Sequence, residues 1–380
     1  MKFKGVISAE GMNVLKRRFL PCLDKFGKQC YLLLTPGDVF FIQDAKEADG
    51  MQISARIDQA CRLIPFYCLI TTTIGRLDLT PYFLSSSPIN PPQNSLFEPD
   101  SYIVESKADN CIAFTVSISL LLKAISAAND HDAQVLHIKL TTRAAPGPEP
   151  TQIRQRPMLL LNWHGESVGL GQELPVGDPL RNRQELNNLK TLSTLSTLCP
   201  FYVNIFPEIN RITLSVDKLK PLATAITLTL TRHGDLHLTM QGTNITLGEG
   251  IPGFETFWEK DSNSNTSHGD DTSVLPVLHA VRMEDRLRET MALNQKWAMA
   301  RATIEVSHLM KALHSAKMTI PERMLIGIRS VEDCGQGGGG GGGGSYVHIM
   351  FAYSHGADKH GKLPVSLFFK LPIKEDDDDL

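Results

Sequence analysis

The chain of 380 residues lacks a long apolar run: no window approaches the roughly 18 to 20 apolar residues that a membrane-spanning helix requires. The opening MKFKGVISAEG also lacks the apolar core of a leader. A soluble protein of the cytoplasm or nucleus is expected. It lacks paired cysteines too. Cys22, Cys30, Cys61, Cys68, Cys111, Cys199 and Cys334 are odd in number and scattered, with no C-x-x-C, which argues against a zinc or redox site and for reduced thiols. There is no excess of positive charge: 38 basic residues stand against 41 acidic, so any nucleic-acid contact must come from a local basic surface.

Catalytic motifs are missing as well. The glycine run at 337–344 is followed by Ser345-Tyr346, without the lysine of a phosphate loop, and reads as a flexible hairpin loop. His233 and His237 flank a predicted turn rather than sharing a helix face, with no glutamate base beside them. His164 and His355 stand alone near turns, and no G-x-S-x-G is present. The sequence therefore predicts no enzyme, no metal and no cofactor.

What the sequence has is a repeat. TVSISLLLKAISAA at 115–128 returns as TIEVSHLMKALHSA at 303–316, an offset of 188. Each copy opens with strand-like alternation and passes through a serine, Ser119 or Ser307, into an amphipathic helix that the serine is expected to cap. The register continues through LHIKL and MLIGI (136 and 324), then MLLLNW and YVHIMF (158 and 346); at an offset of 197, ELPV pairs with KLPI (173 and 370). CYLLLTPGDVFFI and ITLTLTRHGDLHL read as hairpins turning at Gly-Asp, each after an amphipathic helix. In the first helix Met12, Leu15, Phe19, Leu23 and Phe26 form the apolar stripe and Pro21 should interrupt it; in the second the stripe is Ile209, Ile212, Val216 and Leu219.

The pattern predicts an internal duplication of an α+β unit, helices on one face of largely antiparallel sheets. The first domain spans about 1–176 with an insertion at 72–108, a connector follows at 177–200, and the second domain spans 201–380. The second carries an insertion at 259–300 with an extra helix within 281–301, the glycine-rich loop at 335–345 and an acidic tail at 375–380. Off the apolar stripes lie Lys16, Arg17, Lys28, Lys123, Arg211, Lys218, Lys311 and Lys317, a set of cations that would meet phosphates without reading bases.

The opening Met1-Lys2-Phe3-Lys4, RRFLPCLDKFGKQC (17–30), GDLHL followed by ITLG (245–248), and LFFKLP (367–372) resemble the Hus-one subunit of the nine-one-one checkpoint clamp, a sliding clamp of the proliferating cell nuclear antigen type. The resemblance covers about 1–70, 111–256 and 302–373 and leaves the insertions unmatched. It implies a non-catalytic third of a heterotrimeric ring in the nucleus or nucleolus, with Rad-nine-type and Rad-one-type partners. A clamp loader places such a ring on double-stranded DNA, where it serves the damage and replication checkpoint, the cell cycle, repair-factor recruitment, meiosis and telomere maintenance. Clamp subunits join by extending sheets, and HIKLT (137–141) and FYVNIF (201–206), or a neighbour, are the edge strands expected here. A homotrimeric replicative clamp and a scaffold without DNA contact are the alternatives.

Overall fold

In the computed structural model the described residues are 1–46, 48–58, 96–98, 100–131, 133–146, 153–164, 169–193, 199–241, 246–258, 278–293, 298–329, 345–353 and 365–374. The chain divides into two compact units, residues 1–195 with 353–367, and residues 196–352 with 368–380.

The first unit opens with β1 (Lys2–Ser8), whose last residue caps α1 (Ala9–Val14): the Ser8 Oγ accepts from the Gly11 amide at 3.0 Å. A π-helical turn, Leu15–Phe19, joins α1 to α2 (Leu20–Phe26), with the Leu20 amide donating to the Leu15 carbonyl. Pro21, lacking an N–H, begins the second segment, so the expected interruption takes the form of a widened turn rather than a break. Then follow β2 (Gln29–Leu34), β3 (Asp38–Gln43), β4 (Gln52–Asp58), β5 (Ile103–Glu105), β6 (Ile112–Ser117), α3 (Ile118–Asp130), β7 (Val135–Pro146), β8 (Ile153–His164), β9 (Gly169–Pro175) and α4 (Arg183–Ser193). One sheet has the order β5-β1-β7-β8-β9 and the other runs β4-β3-β2-β6, with antiparallel pairs throughout.

The second unit, together with residues 353 and 365–367, repeats this order: β10 (Phe201–Asn204), α5 (Ile209–Leu219), β11 (Ala225–Thr231), β12 (Leu236–Gln241), β13 (Thr246–Ile251), β14 (Glu255–Trp258), α6 (Met283–Ala292), β15 (Met299–Glu305), α7 (Val306–Thr319), β16 (Arg323–Arg329), β17 (Tyr346–Tyr353) and β18 (Val365–Pro372). Its sheets run β14-β10-β16-β17-β18 and β13-β12-β11-β15, strand for strand the arrangement of the first unit. The α+β class and the duplication are thus visible in the backbone.

Each core lies between the unit's two sheets and beneath its helices. In the first, Phe3, Ile7, Ile138 and Leu159 of one sheet and Leu32, Leu34 and Phe41 of the other are buried with Leu15, Leu121 and Ile125 of the helices. Gln43, 1% exposed, donates to the carbonyls of Leu23 and Gly27 and so satisfies the end of α2 from within the core.

Four expectations need correction. Ser119 and Ser307 are second residues of α3 and α7; the N-cap positions are Ser117 and Glu305, because each strand ends two residues sooner. Part of the stretch expected as an insertion at 72–108 is structural: β5 pairs with β1, and Phe97 and Tyr102 pack against Phe3. HIKLT is not an edge: it lies in β7, paired on both sides by β1 and β8. FYVNIF lies in β10, also paired on both sides, but its neighbour β14 stands at the end of its sheet, as the expectation allowed. The strands at sheet ends are β5, β6, β9, β13, β14 and β15. Finally, residues expected in the connector form α4, whose Leu186 and Leu189 pack on Leu33, Phe40, Ile42, Cys111 and Ala113 of the first unit. The rest of that insertion (72–95), residues 259–277, most of the glycine loop, His355 and the acidic tail lie outside the described residues. Helix α6 falls within 281–301, as the sequence predicts.

Candidate nucleic-acid interface

The repeated helices are amphipathic, so burying the apolar stripe leaves a polar face outward. In the first unit α3 packs across α1, the π turn and α2; in the second α5 packs against α7. Each unit therefore gathers its predicted cations, Lys28 excepted, on helices that pack together.

In the first unit Arg17 and Lys123 are exposed on the helices. Lys16 is half-buried, with its ammonium 2.7 Å from Asp130 at the end of α3. Lys28 is exposed but sits in the turn after α2, not on the helix. In the second unit Lys218 and Lys317 are exposed in the last turns of α5 and α7, where a cation also complements the helix dipole. Lys311 is partly buried, at the position of α7 that repeats Lys123 of α3. Arg211 lies 2.9 Å from Glu249 of β13, which also accepts from the Ser215 hydroxyl. The Ser215 hydrogen bond, with Arg211 and Lys218 adding to it, holds the Glu249 carboxyl below its ordinary range against the opposing effect of burial.

Two of the eight cations, Lys16 and Arg211, thus have carboxylate partners. An exposed ion pair is worth only about 0–1 kcal/mol, so a phosphate can replace the carboxylate at little expense. Among the described residues, Arg17, Lys28, Lys123, Lys218 and Lys317 have no carboxylate at ion-pair distance. Lys25 and Lys220, exposed near the ends of α2 and α5, belong to the same surfaces; their place just past the apolar stripe was the available signal. Helix α7 holds Lys311, Lys317 and His314 at accessible positions and no acidic residue, so its outward face attracts anions; His308 is buried, 3.6 Å from Glu305.

Among the described residues the histidines form no metal site. His237 is buried in β12, where desolvation pushes its imidazole down, the nearby Asp235 opposes that and Arg286 reinforces it. Among the described residues no group of three or more His, Cys, Asp or Glu could hold a metal ion, and no helix is long and apolar enough to cross a membrane.

A family model described as Hus1-like protein matches residues 89–334. Among solved structures, the proliferating cellular nuclear antigen of Entamoeba histolytica is similar with a TM-score of 0.48 and 10% identity, covering 98% of this chain and 99% of that one. The antigen of Thermococcus kodakaraensis gives 0.47 and 11%, covering 98% and 100%. No curated protein matches the chain.

Proposed function

The chain belongs to the Hus1-like protein family, and from that premise we propose that it is one subunit of a heterotrimeric checkpoint clamp that encircles double-stranded DNA. Its part is topological and electrostatic rather than catalytic: a closed ring needs only modest phosphate contacts to stay on a duplex. Its neighbours in the ring are a Rad-nine-type and a Rad-one-type subunit, a dedicated loader opens it, and repair enzymes gather on it. It works in the nucleus, the nucleolus included, in checkpoint signalling, meiosis and telomere maintenance.

The observation that supports this reading is the repeated helix pair, which exposes Arg17, Lys25 and Lys123 beside Asp24 in the first unit and Lys218 and Lys317 beside Asp217 in the second, with Lys123 and Lys311 at equivalent positions. The open strands β9 and β13 supply a backbone edge in each unit for a neighbour to extend. A homotrimeric ring is favoured by one fact, that a single chain carries both edges. The mass of the native complex separates the two: three different chains in equal number support the proposal, and a stable ring of this chain alone sinks it. Reversing Lys123, Lys218 and Lys317 to Glu should leave the fold intact and lower the slope of log affinity against log salt by about 0.9 for each phosphate no longer neutralised. An unchanged slope would favour a scaffold without DNA contact.

A further inference from the structure

The two faces of the first unit's five-stranded sheet differ in chemistry. Phe3, Ile7, Ile138 and Leu159 point into the core, and their neighbours along each strand point away from it. On that outer face Lys4 of β1 stands opposite Lys139 of β7, Lys139 opposite Leu160 of β8, and Leu160 opposite Glu173 of β9. Four residues farther along β7, Arg143 stands opposite Arg156. These four cations and Lys2 are exposed. Like charges directly opposite one another destabilise a sheet, and this face holds two such pairs. The carboxylates lie at its rims. Glu105 of β5 pairs with Lys2 at 2.9 Å, Glu173 pairs with the Arg143 Nε at 2.9 Å, and Glu98, whose amide donates to the Val6 carbonyl, is on the β5 side. Among the described residues Lys4, Lys139 and Arg156 have no carboxylate at ion-pair distance.

The second unit fills the same positions with a closed aromatic cluster. Tyr202 of β10 stands where β1 has Lys4, Gly327 where β7 has Lys139, and His348 where β8 has Leu160. A Cβ on Gly327 would lie 2.9 Å from the Tyr202 ring, and the Tyr202 hydroxyl is 2.8 Å from the His348 Nδ1. Both side chains are buried. One copy of the face is thus satisfied from within the chain, while the other presents unpaired cations to solvent.

We propose that this face of the first unit docks an extended acidic protein segment, with carboxylates at positions i and i+4 over the two cation pairs and an apolar residue at i+2 over Thr141 and Met158. Alternate side chains of an extended chain point the same way, and four residues span about 13 Å in such a segment as they do from Lys139 to Arg143. The half-buried Met158 and Leu160 offer apolar ground between the charges. A nucleic acid fits less well: it brings no apolar side chain, and its two rows of phosphates would meet Glu105 and Glu173 at the rims. The inference does not rest on the ring reading, because this face turns away from the core that the helices cover.

The test is a titration of the full chain with the strand-favouring peptide TETLTET, followed by amide chemical shifts. The amides of Lys139, Thr141 and Met158 are expected to move saturably in low salt and to return in high salt, while those of Ile326 and His348 stay in place. Lys139→Glu and Arg156→Glu should each weaken binding at least tenfold without lowering the melting temperature, since each removes a like-charge pair; Lys139→Arg should keep it. Binding that survives both reversals, or shifts that gather on α1, α2 and α3 instead, would overturn the proposal. Equal affinity for TEETLTT, which has the same composition with adjacent carboxylates, would overturn the register. A DNA duplex that moves the same amides at lower concentration than the peptide would overturn the choice of partner.

Discussion

The two units have the same strand order but fill equivalent positions with different chemistry. At the first hairpin, Thr35 to Gly37 turn between β2 and β3 in open space: a Cβ on Gly37 would meet nothing within 4 Å. In the second unit Gly234 has φ +81°, and a Cβ there would lie 2.1 Å from the Phe254 carbonyl oxygen. The following aspartate differs in the same direction. Asp38 pairs with Arg56 at 2.9 Å with both side chains about one-fifth exposed, 22% and 23%. Asp235 is fully buried and held by two bonds from Arg286 of α6, at 3.0 and 2.9 Å. Where the first unit has Gln43 closing α2, the second has Met240. A duplicated backbone therefore fixes where side chains point, and each copy has since become dependent on its own neighbours. In the second, those neighbours include a helix, α6, which has no counterpart in the described stretch between β5 and β6 of the first.

The sharpest test of that difference is the glycine pair. Gly234→Ala should lower stability by about 4 kcal/mol, combining left-handed backbone strain with a backbone clash, whereas Gly37→Ala should change it by less than about 0.5 kcal/mol. Similar losses in urea unfolding would break the comparison. Next comes Asp235→Ala, which leaves Arg286 unpaired and should cost about 3 kcal/mol; Asp38→Ala should cost about 1 kcal/mol, because its partner can turn to water. Hydrogen exchange of α6 should accelerate in the first variant only.

Acid should also separate the units. Burial, with Lys370 nearby, pushes His348 down to about 3, while its repeat position in the first unit is Leu160. A histidine depressed in the fold stays neutral there and protonates in the unfolded chain. Its contribution is therefore complete above about 6.5 and is lost as pH falls toward 3, at up to about 1.4 kcal/mol per pH unit. The second unit should open first in an acid titration followed by hydrogen exchange, and His348→Leu should flatten that dependence if the smaller side chain packs. The smallest effect concerns Ile320, which ends α7 with φ +48° and 69% exposed. Ile320→Gly should raise the melting stability of the second unit by about 1 kcal/mol, since glycine adopts that conformation without strain. A drop in stability would mean that the isoleucine packs well enough to outweigh the strain.

Much of this molecule is legible in its sequence because the repeat is local. Strand alternation, the helix stripes and the Gly-Asp hairpins each span a few residues, and their order along the chain survives folding. Strand order does not follow from such patterns. HIKLT reads as an edge, yet it is paired on both sides, since pairing of β7 with β1 joins residues about 130 positions apart. The three-residue β5 was hidden in a proline- and serine-rich stretch too short to show alternation. The candidate interface was read from side-chain type and helical phase, which places lysines outward but cannot see their partners. Asp130 is 114 residues from Lys16, and Glu249 is 38 from Arg211.

The widened turn at Leu15–Phe19 has one more consequence. One additional residue in a helical turn advances everything after it by about 100° around the axis. Residues 9–26 therefore present two faces in succession, Met12 and Leu15 before the shift and Leu20 and Leu23 after it, all buried. The shorter α5, eleven residues without such a shift, needs only one. Superimposing the two helices from their first turns would place their second halves out of angular step, and this is why the duplication fades from the sequence in the helices while it stays plain from β6 and β15 onward.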